Sequence, residues 1–283
     1  MPVFSVENEY NNKLELTHNE NKWQLLSVTG LSSPAAAIST SVIPTFDGER
    51  FNSSRLTARN IVITLAINGD AEENRMALNK VILPKRYIKL YYQNKAHKYY
   101  IEGIVESFEY DIFNNKIQAQ ASIICVDPYF KDEEENKEIL TGLINLFEFP
   151  FSIPAEGIAL SEITADKNGE ITNTGTETTG CELIIEAQNE IINPYIENLT
   201  TGQTIKINRT IQKHDIIKIN TYRGKKSAVL YSGNSIINII NDLTEDSQWL
   251  TITPGTNIIL YGADAGTDNM QTTIIYKNLY GGV

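Results

Sequence analysis

Three histidines, two cysteines and a run of carboxylates are the residues of this 283-residue chain whose types could do chemistry. His18, His97 and His214 stand far apart in unlike surroundings. No His-Glu-x-x-His pair sets two of them on one helical face to hold zinc. A nucleophilic triad needs a histidine near an activated serine or cysteine, and no Gly-x-Ser-x-Gly elbow presents a serine. Cys125 and Cys181 are too few for a cysteine zinc site or a disulfide framework, and each reads as a small buried apolar residue. The carboxylates crowd into "KDEEENKEIL", Lys131–Leu140. Glu133, Glu134 and Glu135 are consecutive, which suits a wet surface and not two acids facing each other across a sugar. They are expected to meet water on a solvated linker or short helix and to bind nothing.

The remaining candidates resolve into turns. "RGKKS", Arg223–Ser227, lacks the glycine that a phosphate loop needs five positions before Gly224, where Ile219 stands. "DKNGE" (Asp166–Glu170) and "DAGTD" (Asp264–Asp268) lack the full ladder of oxygen ligands of a calcium loop. Tyr91-Tyr92 and Tyr99-Tyr100, with Lys85, Arg86, Lys89, Lys95 and Lys98, form the most basic stretch and read as half-buried strands with lysine-protected edges. No catalytic, cofactor-binding or metal-binding residue is assigned.

The elements behind these residues fall into two textures. Met1–Lys131 holds 14 Lys/Arg against 14 Asp/Glu, while Asp132–Val283 holds 10 against 21 and so carries the whole net charge of −11. Such an asymmetry argues for two modules, 1–131 and 132–283, and an acidic second module is a poor partner for a phosphate backbone. No N-terminal apolar h-region and no run of about 18 apolar residues occurs, so the chain is expected to be soluble and made in the cytosol, without a membrane span.

In the first module, Ile61, Ile63, Leu65 and Ile67 alternate with Asn60, Val62, Thr64 and Ala66 in a period of two, the mark of a half-buried strand. "RYIKLYYQ", "KYYIEGIVESFEY" and "NKIQAQASIICV" repeat it, the last two joined by "DIFNN" at Asp111–Asn115 as a hairpin connection. One helix interrupts them. Asp70 caps it with Glu73 three residues on, Pro84 stops it, and Leu78, Val81 and Ile82 share its inner face. Val28 to Arg55 is rich in small residues, weakly periodic, and reads as a long functional loop. The second module breaks into short apolar pieces, from "GEITNTG" to "TTIIYK", punctuated by Gly, Asn, Asp or Pro at roughly ten-residue spacing, which argues for an all-β sandwich. The fold class is therefore mainly β, with an α+β first domain.

The ordered series "DGERFNSSRLTARNIVITLAINGD" (Asp47–Asp70), Asn74-Arg75, "LNKVILPK" (Leu78–Lys85), "YYIEGIVESFEYDIFNNK" (Tyr99–Lys116) and "ICVDPYF" (Ile124–Phe130) resembles the phage distal tail protein family, Dit. The second part is similar to the C-terminal half of the family's long members through "NTGTETTG" (Asn173–Gly180), "NPYIENLTTGQTIKIN", "NTYRGKK" (Asn220–Lys226), "WLTITPGTNII" (Trp249–Ile259) and "YGGV". One departure stands out: where many relatives carry glycine before the aspartate of a turn, this chain has Lys213-His214-Asp215, which should alter only that turn.

The resemblance implies structural work with no enzymatic activity. Residues 1–131 would build a hexameric ring at the tip of a phage or bacteriocin tail, continuing the tail tube towards the tail-associated lysin or fibre hub. Residues 132–283 would form a galectin-like or carbohydrate-module-like β-sandwich that docks receptor-binding proteins. The site would be the virion tail tip, with assembly in the host cytoplasm. Ring closure is assigned to the soft loop Ser27–Thr45. The alternative is a carbohydrate-binding module using Trp249, Tyr222, Tyr231 and Tyr261 as stacking platforms; a cell-wall hydrolase is a third and weaker reading. The sequence leaves open whether "YKNLYGGV" returns to the first domain.

Overall fold

The computed structural model describes residues 3–18, 22–45, 47–95, 97–111, 117–140, 143–145, 161–163 and 168–283. The chain divides into two units, Met1–Glu133 with Leu279–Val283, and Glu134–Asn278. The first unit thus runs to Glu133 and takes back Leu279–Val283, part of the segment whose return the sequence leaves open.

The first unit runs β1 (Val3–Asn8), β2 (Lys13–Leu16), β3 (Trp23–Thr29), β4 (Ala36–Val42), β5 (Glu49–Leu56) and β6 (Arg59–Ile67). The helix α1 (Ala71–Val81) follows, then β7 (Tyr87–Gln93), β8 (Lys98–Asp111), β9 (Ile117–Cys125) and β10 (Phe130–Asp132). The main sheet has the order β2-β1-β7-β8-β9-β6-β3, with β10 joined to β8 and to Leu279–Tyr280. Every pairing in it is antiparallel. Period two is visible in β6, where Ile61, Ile63, Leu65 and Ile67 are buried. Asp70 caps α1 by accepting from the Glu73 amide at 3.0 Å, and Leu78, Val81 and Ile82 sink into the core with Phe4, Val6, Leu90 and Ile101. The connection expected at "DIFNN" lies, beyond Asp111, outside the described residues.

The second unit contains β11 (Asn136–Leu140), β12 (Leu143–Asn145), β13 (Ser161–Ile163), β14 (Asn168–Asn173), β15 (Cys181–Ala187), β16 (Ile191–Asn198) and β17 (Gln203–Lys206). It continues with β18 (Thr210–Ile211), β19 (Ile216–Asn220), β20 (Ser227–Ser232), β21 (Ser235–Asn238), β22 (Gly255–Ala265) and β23 (Met270–Tyr276). One sheet has the order β11-β23-β15-β19-β20-β21 and the other β14-β22-β16-β17, with β18 on β16. Ile171, Ile196, Ile205 and Ile259 from the second sheet share one core with Leu183, Ile185, Ile217, Leu230 and Ile274 from the first. Two alternating sheets closing over one apolar layer is the arrangement that short, turn-punctuated strands favour.

Two expectations change here. The acid run is a linker only at Glu133–Glu135, where one unit passes to the other, and is strand on either side: Phe130–Asp132 is β10, and Asn136–Leu140 is β11, at the edge of its sheet on β23. Lys137 and Glu138 are exposed on it, and charge on an edge strand blocks unwanted pairing. The stretch expected as a long loop is the two-stranded antiparallel hairpin β4–β5. Its residues are exposed on both faces, save Leu56, so no buried side imposed an apolar period.

Candidate assembly surface

The residues whose types could do chemistry are not brought together. The His18 ring Nδ1 lies 2.8 Å from the Leu25 carbonyl oxygen, His97 stacks on Tyr99 at 5.8 Å between centroids, and His214 sits in a turn of the other unit. Among the described residues no three His, Cys, Asp or Glu side chains are placed to hold a metal ion. Cys125 and Cys181 are buried free thiols, and burial pushes both up to about 12. Lys225 donates its amide to the Tyr222 carbonyl across the "RGKKS" turn, and Thr267–Asn269 is a short 3-10 turn within the "DAGTD" region. Asp166 and Lys167 of "DKNGE" lie outside the described residues.

The carboxylates of the acid run do not meet water alone, as expected; lysines take two of them. Lys98 Nζ donates to Glu133 at 2.7 Å, and Lys277 lies 3.7 Å from Glu135. Nearby, Lys131 pairs with Asp127 at 2.9 Å and with Glu102 at 3.5 Å. The basic tyrosine strip is likewise occupied by its own strands. Lys13 and Lys98 lie over the Tyr91 ring at 5.0 and 5.5 Å, Lys89 lies over Tyr100 at 5.4 Å, and the Tyr91 hydroxyl donates to Glu7 at 2.8 Å. Burial and that carboxylate hold the Tyr91 phenol well above its usual range.

The aromatic residues proposed as a sugar platform are poorly placed for it. Tyr261 is in the core, Trp249 is half-buried under Lys226 at 5.3 Å, and the half-buried Tyr222 accepts from the Lys277 amide at 3.2 Å. Tyr231 alone of the four is exposed, with Lys218 over its ring at 5.6 Å.

What the first unit does present is the β4–β5 hairpin. Cross-strand partners share a face. The register pairs Ala36 with Leu56, Ile38 with Ser54, Thr40 with Phe51 and Val42 with Glu49. The opposite face carries Ala37 with Arg55, Ser39 with Ser53, and Ser41 with Arg50. The register shifts between Ser39 and Thr40, leaving Asn52 as the extra residue of a bulge. That bulge decides the surface. Without the extra residue Phe51 would point to the serine and arginine side; with it, Phe51 joins Ile38 and Val42. The three are 60%, 65% and 71% exposed. A two-stranded ribbon is marginal by itself in water, and a one-sided apolar face on it needs a covering surface.

Arg59, which its local sequence does not mark as special, fastens the root of this hairpin. It opens β6 and is 2% exposed. Nε donates to the Pro128 carbonyl at 2.9 Å. Nη1 donates to the carbonyls of Gly30, Leu31 and Ser32 at 2.8, 3.0 and 2.8 Å, and Nη2 donates to that of Gly281. The Phe130 ring lies 4.8 Å from the guanidinium carbon. Burial lowers the Arg59 pKa from its ordinary value, and the charge is met by carbonyl dipoles and a ring face. The one signal that could have flagged Arg59 is its place among the inward-facing positions of an apolar strand.

Sequence profiles match both units. Residues 14–124 match the phage tail protein RIFT-related domain, and residues 174–280 match the C-terminal domain of the siphovirus-type tail component. No curated protein sequence matches the chain. The crystal structure of the SPP1 Dit protein, described as a paradigm of the hub adsorption apparatus in phages infecting Gram-positive bacteria, superimposes with a TM-score of 0.71 at 13% identity, over 98% of this chain and 99% of that one. The activated phage P2 baseplate with calcium gives a TM-score of 0.49 at 12% identity over 98% of each chain. With both domains matched in order and the whole fold shared, the chain belongs to the siphophage distal tail protein family and is a structural component of a phage tail or baseplate.

Proposed function

We propose that this protein is the ring-forming hub of a tail tip. Six copies close through the first unit, each laying the Ile38, Val42 and Phe51 face of its β4–β5 hairpin on the neighbouring protomer. Heterologous contacts of this kind close into a ring when the rotation is right. The ring joins the tail tube to the tail-associated lysin or fibre hub. The second unit, a galectin-like sandwich, offers docking for receptor-binding proteins, and the particle is assembled in the host cytoplasm. The observation that carries the reading is the one-sided apolar face of the hairpin. The near-neutral balance of the first 131 residues supports it, since copies can approach without net repulsion. Light scattering after size exclusion at micromolar concentration should give six times the chain mass for the protein alone, and a species containing six copies when the tail tube and hub proteins are added. A monomer under all these conditions overturns the reading.

A further inference from the structure

The root of the hairpin is held by residues that the ribosome delivers only after the whole second unit. Leu279–Tyr280 pairs with β10, setting Phe130 against Tyr280 and Lys131 against Leu279. The Tyr280 ring meets Tyr99 edge-on at 4.8 Å. Beyond it, Gly281 supplies a carbonyl to Arg59, and the Val283 amide donates to the Leu31 carbonyl at 3.1 Å. Gly282 lies flat on the same stretch. A Cβ there would stand 2.8 Å from the Ser33 nitrogen and 3.1 Å from the Ser32 carbonyl carbon. Residues 30–33 are therefore clamped between Arg59 on one side and the returning segment on the other.

The arithmetic of donors makes the clamp cooperative. Nε serves the Pro128 carbonyl, the two Nη1 hydrogens are shared among the carbonyls of Gly30, Leu31 and Ser32, and Nη2 serves Gly281, so one side chain joins three separate stretches. Withdrawing the returning segment strips a buried cation of one acceptor and removes the Val283 to Leu31 bond. An unsatisfied buried charged donor is costly, so the pocket opens to water and residues 30–33 lose their hold. β4 begins three residues later, and its ribbon is too slight to keep its own pose.

From this we infer that Leu279–Val283 is a conformational strap. The assembly face of the hairpin is presented in a fixed pose only when this segment is seated on Arg59 and residues 31–33. Chains whose second unit has not been completed therefore fail to offer that face. The coupling is reciprocal, so covering the hairpin also tightens the hold on the strap. The inference rests on the ring reading only for what the face is used for.

The test is amide hydrogen exchange on three full-length variants, Gly282→Ala, Arg59→Lys and Phe51→Ala, and on a chain lacking residues 279–283. All are compared with the unaltered protein at a concentration where light scattering gives a monomer. The strap predicts at least tenfold faster exchange across residues 30–56 in Gly282→Ala and in the shortened chain. Protection in β8 and β9 should persist, and Phe51→Ala should leave exchange in 30–35 unchanged. If the shortened chain or Arg59→Lys loses protection everywhere, Gly282→Ala decides. Exchange in 30–56 equal to that of the unaltered protein in Gly282→Ala overturns the strap. An unaltered protein that stays a monomer at every concentration, with fast hairpin exchange in Gly282→Ala, would sink the ring reading and leave the strap standing.

Discussion

Phe51→Ala tests the assembly face most directly, because the side chain that does the work touches little of its own protomer. Its 60% exposure leaves about 120 Å² to cover, taking roughly 200 Å² for a buried aromatic side chain. At about 25 cal/mol per Å², full coverage by a neighbour is worth about 3 kcal/mol per contact. Since about 1.4 kcal/mol is a factor of ten, each contact should weaken by about two orders of magnitude. The folded protomer should scarcely notice, as an exposed substitution away from caps and cores moves stability by no more than about 0.5 kcal/mol. Mass photometry across a dilution series reads the first quantity and urea unfolding of the monomer reads the second. Phe51→Leu should lie between the two proteins, and Ala36→Glu, which places a charge on the same face, should dissociate the ring outright. An unchanged dissociation midpoint for Phe51→Ala refutes the assignment. So does a loss of monomer stability as large as the loss of assembly, since the ring would then be packing within the protomer.

Two further outcomes follow from the second unit and the buried thiols. His214 adopts φ +68°, a left-handed conformation that costs a side-chain-bearing residue about 1–2 kcal/mol. His214→Gly regains that strain and loses roughly 0.5–1 kcal/mol to the freer unfolded chain, so a gain of about 0.5–1 kcal/mol in urea unfolding is expected; a loss would contradict it. For Cys181, an acid whose folded pKa is pushed from 9.0 up to about 12, stability is fully present below pH 9 and is lost as pH rises towards 12. The slope is about 1.4 kcal/mol per pH unit, so Cys181→Ala should unfold with a flatter pH dependence between 9 and 12 than the unaltered protein. Identical slopes would refute the burial of the thiol as the cause.

The parts of this fold that were legible are those where one side of an element meets a core. Ile61, Ile63, Leu65 and Ile67 announce β6 because water lies on one face only, and Asp70 announces α1 because a cap must accept an orphan amide. The second unit's strands show in the same way, each apolar piece between turn residues becoming one strand. Where neither face is buried, the code falls silent. β4 and β5 carry apolar residues at Ile38, Val42 and Phe51, but the bulge at Asn52 breaks their phase, and the protomer itself gives no reason for a period. The acid run was legible in part for a related reason: Glu133–Glu135 do link the units, but Lys137 and Glu138 guard the edge of a strand, and in sequence an edge looks like a linker.

Arg59 marks the harder limit, and the reason is physical. A buried arginine costs several kcal/mol unless its donors are met, so the residue alone predicts that acceptors exist without saying where they come from. Here they come from stretches 27 to 222 residues away and are all main-chain carbonyls, which no side-chain identity betrays. Gly30 and Gly282 are the trace they leave in the sequence. Each allows a backbone to approach where a Cβ would collide: with the Asn60 carbonyl oxygen at 2.1 Å for Gly30, and with the Ser33 nitrogen for Gly282. Two glycines and an arginine spread over the chain look unrelated until the backbone brings them to one point. At that point the hairpin leaves the sheet, the chain turns out at Pro128, and it returns at Gly281. Tying these three crossings with one cation makes the exposed hairpin answer to the completeness of everything between Pro128 and Gly281, which a local hydrogen bond could not do.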